Sequence, residues 1–167
     1  MKNFKVLFFL FLVVSTILMS SCSKKDDADI RDDVTGTYNY TLKMYNLVGG
    51  TATYLGASYD GTGTMIVKKN ESNSTTLDFF EGGELAFQGT KIVAAGNGIA
   101  FDIPSQTIKE GTDTYSITGY NYWDLGGTKY NGAYIAANKK VQVAFQYTET
   151  VNNVQVTLIM VYEGIKQ

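Results

Sequence analysis

The densest concentration of chemistry-bearing side chains is the run Tyr115-Ser-Ile-Thr-Gly-Tyr120-Asn-Tyr122-Trp123, continued by Asp-Leu-Gly-Gly-Thr-Lys-Tyr130-Asn-Gly-Ala-Tyr134. It holds the lone tryptophan and five of the twelve tyrosines. Aromatic faces stack on sugar rings and flat ligands, and a tyrosine hydroxyl adds a hydrogen bond. Tyr120, Tyr122, Trp123 and Tyr130 are therefore the candidate surface for a ligand or a partner. The same rings suit a plainer task, covering a sheet or filling its end, as strand aromatics do. On an extended chain Tyr115, Ile117 and Trp123 share one face, while Tyr120 and Tyr122 share the other.

Other constellations carry less. Glu81 and Glu84 flank a Gly-Gly turn, where they read either as a cation or acid/base pair or as charged hairpin ends. Asp26, Asp27, Asp29, Asp32 and Asp33 could attract Ca²⁺, but the run lacks the Gly-turned loop that organises an EF-hand site. Asp60-Gly61-Thr62-Gly63-Thr64 has no Gly-Lys-Ser/Thr ending and no helix after it, so it reads as a hairpin turn and not a phosphate loop. The chain has no histidine and one cysteine. That removes Cys/His zinc sites, Ser-His-Asp triads and Cys-His dyads. No cofactor or metal site is expected, and no enzyme. A net charge of −2 with a single arginine, Arg31, argues against nucleic acid as a partner.

The cysteine has a chemistry of its own. Residues 1–22 read MKNFKVLFFLFLVVSTILMSSC. Lys2 and Lys5 form a positive start, Val6 to Val14 is unbroken apolar sequence, and Ser20 and Ser21 precede Cys22. This is the layout of a secretory signal, 1–21. The apolar stretch from Val6 to Met19 covers 14 residues, and a bilayer core needs about 20. Ile17-Leu18-Met19-Ser20-Ser21-Cys22 resembles the bacterial lipoprotein lipobox. That resemblance implies lipidation of Cys22, by a thioether-linked diacylglycerol and an N-acyl chain of the palmitate kind. Two chains give the stable membrane attachment that one does not.

Residues 22–33 then read as the lipidated cysteine and an acidic tether, short, charged and poor in apolar side chains. Ser23-Lys24-Lys25-Asp26-Asp27 resembles the surface-export signal of Bacteroidota-type lipoproteins. The resemblance implies an outer-membrane lipid anchor with the domain at the cell surface; a periplasm-facing anchor stays open as the alternative.

The chain that must hold these residues, 34–167, reads as strand after strand. Val141, Val143, Phe145 and Tyr147 alternate on one face, as do Val154, Val156, Leu158, Met160 and Tyr162, with Asn152-Asn153 between them. Ile159 and Val161 make the outer face of that hairpin apolar too, so part of it should be covered. Tyr38, Tyr40, Leu42 and Met44 alternate in the first strand. Gly-rich turns fall at Gly49-Gly50, Asp60-Gly61, Gly82-Gly83, Gly96-Asn97-Gly98, Glu110-Gly111 and Gly126-Gly127. Hairpin-length links and no helical apolar stripe imply an all-β antiparallel domain, a sandwich or a barrel. Its size is that of one core, which needs no disulfide.

The opening strand Val34-Thr-Gly-Thr-Tyr-Asn-Tyr-Thr-Leu after a lipidated cysteine and short tether, then Phe101-Asp-Ile-Pro-Ser-Gln-Thr-Ile108, Tyr115-Ser-Ile-Thr-Gly119 and the paired C-terminal strands, resembles the small calycin-like (lipocalin-like) bacterial lipoproteins. Tyr38 stands where lipocalins proper carry tryptophan. The resemblance implies a calycin-like barrel of about 8–10 strands, whose interior holds side chains or one small ligand; an immunoglobulin-type sandwich is the alternative. In the barrel, the first strand should pair with the closing C-terminal sheet. Two functions follow: binding of a small apolar or glycan-like ligand, or a non-catalytic structural or protein-interaction role on the envelope.

Overall fold

The computed structural model of the chain describes residues 28–110, 113–151 and 154–167. The leader, Cys22 with residues 23–27, Gly111 and the Asn152-Asn153 connection lie outside the described residues. Alternating apolar residues, Gly-Gly turns and a dearth of helix formers give an all-β molecule. Its strands are β1 (Gly36–Val48), β2 (Thr51–Tyr54), β3 (Gly61–Lys69), β4 (Thr76–Glu81), β5 (Glu84–Ala95), β6 (Gly98–Asp102) and β7 (Gln106–Glu110). After them come β8 (Asp113–Gly119), β9 (Trp123–Leu125), β10 (Thr128–Tyr130), β11 (Gly132–Ile135), β12 (Lys140–Val151) and β13 (Val154–Lys166). One helical turn, α1 (Arg31–Val34), precedes them all.

A large antiparallel sheet runs in the order β11-β6-β5-β4-β3-β1-β13-β12-β8-β7. β2 pairs with β1, β9 and β10 form a separate ribbon, and β11 pairs with β12 as well as β6. β12 is the fork in this pattern. Its first part, Lys140 to Val143, pairs with β11, and Phe145 to Thr148 pairs with β8. Between them, the Ala144 N–H donates to the Asn131 carbonyl at 2.7 Å and the Ala144 carbonyl accepts from the Tyr120 N–H at 2.9 Å. The buried Asn131 side chain ties the fork to its surroundings: Oδ1 accepts from the Ile103 N–H at 2.8 Å and Nδ2 donates to Asn121 at 2.7 Å. Both backbone groups of Ala144 are thus paired where the branch opens, which is what keeps such a branch stable.

Alternation decides what faces the core. Tyr38, Tyr40 and Leu42 are buried, while Asn39, Thr41 and Lys43 are exposed. Rings pack in sequence through the interior: Tyr40 on Tyr162, Tyr162 on Phe145, Phe145 on Phe87, and Phe87 stacked on Phe79 at 4.5 Å between centroids. On the opposite face Ala144, Ile159 and Val161 are buried under Tyr45, Leu47, Ala52, Tyr120 and Trp123. The apolar outer face of the C-terminal hairpin is therefore covered, as its sequence requires. Val154 departs from the inward pattern and is exposed. Pairing of the hairpin with β1 stops at Leu158 and with β8 at Thr148.

The described end of the expected tether makes contacts: Asp29 pairs with Arg31 at 2.7 Å and Lys69 reaches Asp32 at 2.6 Å, just before the fully buried Val34. Two expectations are corrected. Asp60-Gly61 is not a hairpin turn, because a short helical turn at Ala57–Tyr59 comes first and β2 and β3 both pair with β1. Finally, Tyr115, Ile117 and Trp123 do not share a face. The strand ends at Gly119, the chain turns through Tyr120 to Tyr122, and Trp123 begins a different ribbon on the outer face.

A bulge explains a spacing that alternation does not. Phe87 and Thr90 are both buried although three residues apart. Leu77 pairs with Thr90 and Phe79 with Phe87, so β5 carries an extra residue there. Gly89 takes it up at φ +67°, a conformation open to glycine, and its N–H donates to Asp78 at 2.9 Å.

A cavity with a tyrosine-held carboxylate

On the interior side, β4, β5, β7, β8, β12 and β13 leave a cavity of about 590 Å³ that opens to solvent. β7 meets β5 through a side chain: Gln106 Oε1 accepts from the Gln88 N–H at 3.0 Å and Nε2 donates to the Gln88 carbonyl at 3.1 Å. This amide reproduces the two bonds of a backbone pair without a strand register. Ile108, Ile117, Phe145 and Met160 supply apolar wall, and Tyr115, Tyr147 and Tyr162 bring rings with hydroxyls.

Glu81 is the polar centre of the cavity. It sits at the end of β4, opposite Glu84 across the Gly82-Gly83 turn. The two acids do flank a hairpin, but Glu81 also turns inward and is only partly exposed. The Tyr40 hydroxyl donates to its Oε1, and the Tyr162 hydroxyl donates to Oε2 at 3.1 Å. Burial, reinforced by the Glu81 carboxylate beside them, pushes both phenols far above the usual tyrosine range. They stay protonated and serve as fixed donors at any physiological pH. Tyr40 can occupy this place because β3 carries Gly63 beneath it; a Cβ there would lie 2.5 Å from the tyrosine oxygen. Tyr147 donates to Glu149 at 2.9 Å.

The sequence offers Glu81 with Glu84 as a pair of acids at a turn, but not the two tyrosines that hold Glu81, because those lie 41 and 81 residues away. The available signal is that alternation turns both tyrosines inward on strands that can pair, so both hydroxyls need a buried acceptor.

None of Tyr120, Tyr122, Trp123 and Tyr130 lines the cavity. They gather on the outer face. Tyr120 and Trp123 cover Ile159 and Val161, and Tyr130 pairs with Trp123 across the β9-β10 ribbon. Tyr122, 40% exposed, stands edge-on to Trp123 at 4.8 Å and near Tyr45. A hydrogen bond with Tyr45, then burial, raises the Tyr122 phenol. The Trp123 indole N–H is covered and has no acceptor among the described residues. Among the described residues no group of His, Cys, Asp or Glu is arranged to hold a metal, and no helix is long and apolar enough to cross a membrane. No family model, no curated protein and no solved structure matches the chain.

Proposed function

We propose that this chain is a non-catalytic binding module: a calycin-like barrel that takes up a small ligand, part apolar and part polar, in the Glu81 cavity. The observation that carries the reading is the cavity itself. Its volume lies in the range of small-molecule sites, and its wall divides about evenly between apolar surface and a few convergent polar groups. Support for the barrel comes from the pairings. β1 runs against β13 from Tyr38↔Lys166 to Asn46↔Leu158, and the β11-β12 ladder brings the sheet path back on itself. An immunoglobulin-type sandwich has no use for such a return.

The module is anchored, in this proposal, through lipid on Cys22, to the outer membrane and facing the cell surface. Cys22→Ala should block lipoprotein processing and release the protein from membranes; normal processing with full membrane retention would refute the anchor. For the binding role, the full chain is incubated with envelope lipid and glycan extracts and examined by native mass spectrometry, beside Ala86→Trp, which places a ring in the cavity. A bound mass on the native chain that Ala86→Trp loses is the expected result. No bound mass from either extract would refute the module.

The exposed rings of Tyr54, Tyr59 and Tyr122 favour a second reading, a partner-binding face on the envelope. In that case Tyr122→Ala abolishes partner capture and leaves the cavity's ligand in place.

A further inference from the structure

We propose that the ligand of this cavity is an amphipathic cation: an apolar or aromatic body bearing an amine or quaternary ammonium group that meets Glu81. The inference rests on the binding-module reading and narrows it to one charge class. The cavity's charged lining residues, among those described, are Glu81 and Glu84, both acidic. A carboxylate offers about four acceptor positions. Tyr40 and Tyr162 occupy one on each oxygen of Glu81 and bring no charge.

Among the described residues, the ion pairs involve Asp29, Arg31, Asp32, Lys69, Lys140 and Glu163, and none involves Glu81. A partly desolvated anion with hydroxyl donors but no counter-charge favours a cation, and disfavours a second anion by like-charge repulsion. The walls add to the same preference. Tyr115, Tyr147, Phe145 and Tyr162 line the space with aromatic rings, a side-chain type whose negative π surface attracts an ammonium group. A fatty acid or a phosphate meets no cationic side chain among the described lining residues.

The test uses three probes of one shape: phenylbutyl-trimethylammonium, phenylbutanol and phenylbutyrate, titrated calorimetrically into the full chain in a neutral detergent. The ammonium probe is expected to bind at least about tenfold more tightly than the alcohol, and the carboxylate most weakly. Glu81→Gln, which keeps the side chain's shape and one acceptor, should erase the preference for the ammonium probe over the alcohol. If Glu81→Gln loses the alcohol too, Glu84→Gln decides: a reduced preference with alcohol affinity retained supports the proposal, and an unchanged preference overturns it. An alcohol or carboxylate that binds as tightly as the ammonium probe overturns the cation proposal and leaves the binding module standing. Failure of all three probes to bind overturns both.

Discussion

At the scale of single residues, the molecule treats its polar aromatic groups in two ways. Inside, Tyr40 and Tyr162 each spend a hydroxyl on Glu81. Outside, Trp123 has an indole N–H with no acceptor among the described residues. The asymmetry of hydrogen-bond energetics then sets opposite consequences for removing each donor. Tyr40→Phe deprives a carboxylate of a bond in partly desolvated surroundings and should cost about 1.5–3 kcal/mol. Trp123→Phe removes a donor with no acceptor among the described residues and should cost well under that, from lost ring area alone. Urea unfolding of the two variants checks the order; Trp123→Phe as destabilising as Tyr40→Phe would contradict it.

Among elements, the strand β5 carries the most information per residue. Gly89 supplies the positive φ that lets Phe87 and Thr90 face the same side, and the nearest atom to an added Cβ is Pro104 Cγ at 3.9 Å. Space is therefore not the obstacle; the backbone is. Gly89→Ala should cost about 1–2 kcal/mol through the left-handed conformation alone. Gly89→Asn should cost less, because asparagine visits that conformation more readily. Equal midpoints for glycine and alanine in urea unfolding would show that the bulge can slip.

The same strand marks where the sequence stops being legible. β1 and β12 read correctly from alternation because each has a buried face over several residues, and the Gly-Gly turns mark their own ends; in β13 the inward pattern fails at Val154, which is exposed. The Phe87-to-Thr90 spacing breaks that period, and a bulge is invisible without its partner strand. The acids before Val34 read as a solvated linker because their partner, Lys69, sits on a strand far along the chain. For the outer ribbon, the aromatic cluster is legible but its side of the sheet is not. A turn after Gly119 sends Trp123 away from Ile117. For Glu81 the sequence leaves a cation or acid/base pair beside a plain hairpin end, and does not show the two distant tyrosines that converge on it.

Across the whole molecule, the buried tyrosines predict an alkaline limit to stability. Burial raises the phenols of Tyr38, Tyr40 and Tyr162 well above their ordinary value of 10.0. The unfolded chain ionises these groups as pH passes about 10, while the folded chain keeps them neutral. Stability from these sites is thus fully present below pH 10 and declines as pH rises above it. Absorbance titration should show at least these three of the twelve tyrosines unionised at pH 11 in the folded chain, and all ionised in urea. A folded chain whose tyrosines all titrate near 10 would mean that the interior is wet.

The central claim is that the interior cavity, and not the outer aromatic face, takes the ligand. Amide hydrogen exchange of the full chain, with and without the tightest binder of the three phenylbutyl probes, tests it most directly. Ligand should slow exchange at Glu81 to Ala86, at Tyr115 to Ile117 and at Phe145 to Tyr147, and leave Tyr120 to Tyr130 and Thr51 to Tyr54 unchanged. Protection confined to those outer segments, with the cavity strands unaffected, would contradict the account.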